Sequence, residues 1–394
     1  MAQDGVEMEL FVPRIARWLL LAALVVGMCA SAGCKDRQWK LWNSYQARFI
    51  DAQGRVIDPQ GDQRTTSEGQ AYAMFFALAA NDRPTFDRLL GWTQANLASG
   101  SLDSHLPAWL WGKAADGAWK TLDPNSASDA DAWMAYTLIE AGRLWNAPAY
   151  ANLGLKLAAL IAKNEVANLP GFGPMLLPGA TGFSKGSSWI LNPSYLPVFL
   201  FERLAADDPN GPWGQIASAI PRLLRESSRH GYAMDWVEYV PGDGFYPAAR
   251  PGAPAAEPAL GSYDAIRVYL WAGMVDPAGE LRGELLAATA GLGAYLADHD
   301  APPEKVSDQG VPLAQDGPVG FSAAVLPYLR ALGASQSNGR QLIRLNAQQD
   351  SASGLYGKDL SYYDQNLALF GTGFLDGRFA FGPGGELKVE WKRR

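Results

Sequence analysis

Apolar positions recur along this chain at three- and four-residue spacings, and the segments that carry them are of two kinds. Six are small, aromatic and nearly free of charge: 67–80, 128–145, 193–204, 262–274, 317–332 and 361–371. Six others keep charges on one face: 39–50, 83–97, 148–163, 212–229, 278–296 and 338–349. The two kinds alternate, and most uncharged segments follow one another at roughly sixty-residue intervals. No convincing run of alternating residues marks a strand. A helix apolar all round is buried, and one with a single apolar stripe lies outside it. The pattern therefore predicts an all-α (α/α)6 barrel, a toroid of six inner and six outer helices. A plain helix bundle or two stacked helical domains are the alternatives. Antiparallel alternation points every inner-helix N-terminus to one end of the barrel. The long loops 98–125 and 166–192 would form a cleft there, and Trp109, Trp111, Trp119 and Trp189 make them too aromatic for disorder. Residues 376–394 read as a short tail.

Composition narrows the class. A chain of 394 residues, 48% apolar and 19% charged, has ample core and is not disordered. A formal charge of −7 argues against a nucleic-acid or anionic-polymer partner, which would call for a basic stripe. Fourteen Trp, fifteen Tyr and fifteen Phe exceed what a core needs, and flat rings suit the apolar faces of sugars. Arg14 and Arg17 precede an apolar run, 18–26, and then small residues at 30–33, the pattern of a secretory signal too short to span a membrane. Cleavage after Ala32 fits, and a lipoprotein-type box with lipid on Cys34 is the other reading. The expected layout is thus a signal at 1–34 and a single domain at 35–394, exported and monomeric. Both cysteines, Cys29 and Cys34, fall in or beside the signal, so the mature domain has no disulfide.

Three acids fall at inner-helix starts. Ser126 stands three residues before Asp129, the spacing of a capping box, and Asp131 follows. The structural reading is that these acids complement the helix dipole. Thr65 and Glu68 have the same spacing, yet Gly69 and Ala71 are unnecessary for a cap and leave room beside the carboxylate. Ser262 can cap a third helix with Asp264 in its first turn, where an Asp264–Arg267 pair at i, i+3 is the structural alternative. If these N-termini converge, Glu68, Asp129 and Asp264 face one cleft. Two carboxylates flanking an acetal are what glycoside hydrolysis needs, one protonating the leaving oxygen and one activating water or attacking. A general acid needs burial or a like charge to stay protonated, and Glu68, followed by Tyr72, Met74, Phe75 and Phe76, is best placed. Arg267 would keep Asp264 ionised. The three histidines, His105, His230 and His299, are scattered, with no H-E-x-x-H, so no zinc site is indicated. There is no G-x-S-x-G elbow, P-loop or dinucleotide fingerprint.

At these residues the chain resembles glycoside hydrolase family 8, inverting endoglucanases of (α/α)6 fold, and within it a periplasmic cellulase type associated with bacterial cellulose synthesis. The family signature A-S/T-D-A/G-D appears as Ala127-Ser128-Asp129-Ala130-Asp131, followed by Met134-Ala135 and Trp145. Thr137 departs from the expected Ser or Ala. Matching stretches are Thr66–Tyr72, Ser262–Arg267 and Tyr362–Gln365. The resemblance implies Glu68 as general acid, Asp264 as base, and Asp129 as the residue that holds and distorts the sugar. It implies substrate contacts from Tyr263, Arg267, Tyr362 and Asp131, and stacking by Trp109 or Trp111. Trp189, Asn192 and Tyr195 are further candidates, although Asn192-Pro193 also reads as an N-cap and first-turn proline. The implied substrate is a β-1,4-glucan chain, with a possible functional association with the cellulose synthase complex and no metal or cofactor. Inversion would place the carboxyls of Glu68 and Asp264 roughly 6.5–9.5 Å apart. Other β-glycans (chitosan, xylan, mixed-linkage glucan) and a non-catalytic glucan-binding subunit are the rival readings.

Overall fold

A computed structural model of the chain describes Met1 and residues 38–254, 257–313 and 315–392. The signal-type segment, with Arg14, Arg17, Ala32 and Cys34, lies outside the described residues. The first helix among the described residues, α1 (Lys40–Phe49), buries Leu41, Trp42, Tyr45 and Phe49, a stripe at four-residue spacing. A two-residue strand, β1 (Thr65–Thr66), leads into α2 (Ser67–Ala79), and α3 (Arg83–Leu97) returns outside it. Strands β2 (Leu110–Lys113) and β3 (Trp119–Asp123) precede the next hairpin, α4 (Ser128–Leu144) and α5 (Pro148–Asn164). Four short strands follow: β4 (Val166–Leu169), β5 (Gly173–Leu176), β6 (Ser184–Lys185) and β7 (Ser188–Leu191). A 3-10 turn at Pro193–Tyr195 then leads to α6 (Val198–Asp207) and α7 (Trp213–Ser227).

Beyond these come β8 (Trp236–Val240), β9 (Gly244–Ala248), β10 (Leu260–Gly261) and α8 (Ala265–Met274). Helices α9 (Arg282–Ala288) and α10 (Ala290–Asp298), strand β11 (Val306–Ser307), and helices α11 (Val319–Ala331), α12 (Ser335–Ala347) and α13 (Tyr362–Leu375) complete the barrel. The last elements are β12 (Phe379–Phe381) and β13 (Leu387–Val389).

The two kinds of segment become two rings. Every residue of α2 except Glu68 is buried, and every residue of α4 except Arg143. All ten residues of α8 are buried. By contrast α7 buries one stripe, from Trp213 through Ile216, Ile220 and Leu223 to Ser227. The fold is an (α/α)6 barrel, with α2, α4, α6, α8, α11 and α13 inside. Phe370 of α13 fills the middle, with Tyr72, Trp133 and Trp271 rings 5.0, 5.2 and 5.1 Å away. The inner helices approach closely: a Cβ on Gly371 would lie 2.0 Å from the carbonyl of Ala323 on α11. Buried Trp39, Trp42, Trp92, Trp133, Trp213 and Trp271 belong to this core, so much of the aromatic surplus is structural.

Three expectations need correction. Thirteen short antiparallel strands exist in the connections among the described residues, too short for a two-residue period to register. The outer segment 278–296 is two helices, because Tyr328 Oη takes the Thr289 carbonyl and the Gly291 amide donates to Gly231, which interrupts the helical ladder. Residues 379–389 are not a loose tail but a hairpin seated against the inner helices. The Phe381 ring stacks on Phe199 at 3.8 Å, Tyr136 Oη donates to the Gly385 carbonyl, and the Leu387 amide donates to buried Glu140. Tyr136 and Glu140 lie toward the C-terminal end of α4, so the hairpin closes the end of the barrel opposite Asp129.

Candidate active site

The three acid-bearing helix starts do converge, and the group that joins them is Arg267. Its side chain is only 2% exposed, one turn into α8. Nη1 bonds the carboxylate of Glu68, the hydroxyl of Tyr72 at 2.9 Å and Asp129 Oδ2 at 3.1 Å. Nη2 bonds Asp264 Oδ1 at 2.6 Å and Ser194 Oγ at 3.1 Å. Ser194 is held in turn by Asn192, whose Oδ1 accepts both the Ser194 amide and hydroxyl. Asn192 is thus the turn's cap, as its sequence context allowed. The local pair expected of Arg267 and Asp264 is present, but it is one arm of a hub spanning α2, α4 and α8. Burial opposes the charge on Arg267, yet the surrounding Tyr72, Glu68, Tyr363 and Asp264 push its pKa well above the ordinary value.

At α2 and α8 another group serves the helix start, which leaves Glu68 and Asp264 free to meet Arg267. At α2 the N-cap is Thr66, whose hydroxyl accepts the Gly69 amide, while Thr65 donates to the Val56 carbonyl. The Thr65–Glu68 capping box is therefore not formed. Gly69 makes room, but for Tyr362: an added Cβ would lie 2.0 Å from that hydroxyl. At α4 the Ser126–Asp129 box is likewise absent. Ser126 donates to Glu165, and Asp129 Oδ1 accepts the neighbouring Ala130 amide at 2.8 Å. At α8, Ser262 donates to the Glu304 carbonyl, and the capping carboxylate is Asp235, which accepts the Ser262 and Ala265 amides at 2.8 and 2.7 Å.

Solvent reaches the three acids unequally. The side chains of Glu68 and Asp264 are 22% and 29% exposed, whereas Asp129 is 3% exposed behind them. Burial pushes the Asp129 carboxyl up to about 7 against the pull of Arg267, with Glu68 adding to the rise. Asp235 is also pushed up to about 7, first by burial and then by Asp264. Burial, reinforced by Asp129 and Asp264, lifts the Tyr195 hydroxyl well above its usual range, which places Tyr195 at the cluster. Its ring also lies 5.7 Å from the Arg267 guanidinium carbon.

The remaining sequence candidates divide. Tyr263 is exposed at the rim, its hydroxyl 3.1 Å from Glu304 Oε1. Trp109 is half-buried beside the α2 start, its carbonyl accepting the Ser67 amide. Trp111 is otherwise engaged: its ring stacks on Trp119 at 5.2 Å, meets Trp92 edge-on and lies under Arg55. The β2–β3 register shifts between Leu110 and Trp111, beside this aromatic cluster. Asp131 does not reach the cleft at all; both carboxyl oxygens are buried. Tyr362 packs between Tyr45 and Phe49 behind Glu68. Tyr363, which sequence reading passed over, stands closer to the chemistry. It donates to the Tyr263 carbonyl, and after burial its strongest influences are Arg267, Glu68 and Asp264. Beside it a cavity of about 500 Å³ runs along Tyr263, Tyr363, Arg64 and Lys358. His105, His230 and His299 are all exposed, away from the cluster.

Comparison with known proteins places this site. Residues 10–377 match the model of glycosyl hydrolases family 8. An endoglucanase of Xanthomonas axonopodis pv. citri is 45% identical over 373 residues, covering 94% of each chain. An Escherichia coli K12 endoglucanase is 43% identical over 381 residues, 96% of each. The crystal structure of an endo-1,4-D-glucanase from Vibrio fischeri superposes with a TM-score of 0.79 at 38% identity, covering 90% of this chain and 99% of that one. The barrel with acids at one mouth is that of a glycoside hydrolase. The chain belongs to glycosyl hydrolases family 8 and is an endoglucanase, a cellulase.

Proposed function

We propose that the protein cuts β-1,4-glucan chains internally by single-displacement inversion. Glu68 gives its proton to the departing glycosidic oxygen, and Asp264 takes a proton from the water that attacks the opposite face of the sugar. The observation that carries this reading is the Arg267 hub, which gathers acids from three helices and leaves Glu68 and Asp264 open to solvent. Asp129, beneath them, is placed to accept hydrogen bonds from sugar hydroxyls as a carboxylate. Tyr195, Tyr263, Tyr363 and Trp109 supply the surrounding contacts, and Arg267 orients all three acids. Residues 14–33 support export, and association with cellulose synthesis is part of the same proposal.

The test uses the protein on carboxymethyl-cellulose, following viscosity, new reducing ends and the anomer first released. Viscosity should fall faster than reducing ends appear, with the α-anomer released first from a β-linked chain. Glu68→Gln and Asp264→Asn should each lose about 10²–10⁴-fold in kcat while staying folded. Initial release of the β-anomer would overturn inversion. Activity retained in either variant would overturn its role.

A further inference from the structure

Asp131 and Glu165 form a second acidic pair that the proposed chemistry does not use. Asp131 sits in the first turn of α4, two residues past Asp129, and Glu165 follows the end of α5; both are fully buried. Ser126 donates its hydroxyl to Glu165 Oε1 at 2.5 Å and receives the Ala180 amide at 3.0 Å. Among the described residues, that leaves three oxygens, Asp131 Oδ1 and Oδ2 and Glu165 Oε2, without an amide, hydroxyl or cation to meet them. The charged group that acts on both is Asp129, which adds to the repulsion. Two adjacent carboxylates in such a place are untenable, and a proton between them makes one a donor to the other.

We propose that Asp131 and Glu165 share one proton, with Asp131 donating to Glu165, and that the single charge left on the pair tunes the ionisation of Asp129. The proposal rests on the reading of Asp129 as a sugar-binding carboxylate. Burial raises both carboxyls, and the hydrogen bond between them raises Asp131 further while lowering Glu165, so the shared proton stays on Asp131 at neutral pH. Asp129 faces Arg267 from α8, Glu68 from α2, Asp264, and the hydroxyls of Tyr72 and Tyr195. The pair supplies its repulsion from behind, through α4. Asp131 and Glu165 are thus positioning residues, acting on substrate only through Asp129.

Charge counting gives the experiment. Asp131→Asn replaces the proton-bearing group by an amide that still donates to Glu165, so the pair keeps its single charge. Asp131→Asn/Glu165→Gln is neutral, with the amide pair preserving shape and hydrogen bond. The acid limb of kcat/KM on a soluble cello-oligosaccharide should be unmoved in the single variant. In the double variant it should move about one unit to lower pH. A limb already displaced in Asp131→Asn would show two charges on the native pair and overturn the proposal, as would a limb unmoved in both. Infrared spectra provide a check independent of activity: the native protein should keep a protonated-carboxyl stretch above neutral pH that Asp131→Asn lacks, and its absence from the native protein overturns the sharing. Asp129→Asn tests the underlying reading alone; full activity there would remove Asp129 from the chemistry while leaving the infrared result standing.

Discussion

At the scale of single residues, the site depends on one side chain that can be in several places at once. Arg267 meets three carboxylates from three helices through two terminal nitrogens, a task for a planar fork that a lysine ammonium cannot reproduce. Arg267→Lys should therefore keep the charge yet lower kcat/KM by about 100-fold or more through misplacement of the acids, measurable on soluble cello-oligosaccharides. Arg267→Ala should also destabilise by about 3–5 kcal/mol in urea unfolding, since it leaves buried Asp129 without its cation. Glu68, Asp129 and Asp264 were legible in the sequence because each stands at the start of an unusually uncharged helix. The hub was not: at the sequence level Arg267 shows only its i, i+3 neighbour. Nor could adjacent tyrosines be told apart, since Tyr362 and Tyr363 differ by about 100° around one helix. Asp235 and Glu165 left no signal, because each acts on a helix remote from it in sequence.

At the scale of elements, two of the helix starts bearing reactive acids, those of α2 and α8, are capped by other groups. Asp235 performs this for α8 across 27 to 30 residues of chain, sparing Asp264 for the cleft. Asp235→Ala should cost about 1 kcal/mol of stability and lower activity by displacing Asp264, whereas Asp235→Asn keeps the accepting oxygen and should restore most of both. Differential scanning calorimetry and initial rates on the two variants separate the cases. The rings of helices were visible from periodicity, since burial all round and burial along one stripe leave different residue patterns. Strands of two to five residues leave none. The β12–β13 hairpin escaped notice for the same reason, although Phe379 and Phe381 alternate with Ala380 as an inward-facing pair. Phe381→Ala should lose about 3–5 kcal/mol, read as a lower urea midpoint, because its ring fills the space against Phe199.

At the scale of the molecule, raised acids set the dependence of stability on pH. Asp129 and Asp235 hold protons in the folded state up to about 7, and buried Asp131 holds one well above the carboxylate range, while the unfolded chain releases them near the ordinary carboxylate values. Between those limits the native state binds more protons, so stability is fully present at the acid end and is lost as pH rises through the folded values. Each such group contributes a slope of up to about 1.4 kcal/mol per pH unit. The urea midpoint should thus be lower at pH 8 than at pH 5; a midpoint that rises over this range would contradict the burial of these carboxyls. The hairpin that closes the far mouth has a consequence of a different kind. Residues 379–389 leave the ribosome after all six inner helices, and until they do, the aromatic floor around Phe75 and Phe199 has no cover. The core is therefore completed only when nearly the whole length of the chain has been made. A chain ending before Phe379 should therefore leave that aromatic floor bare even though every acid of the cleft is already present.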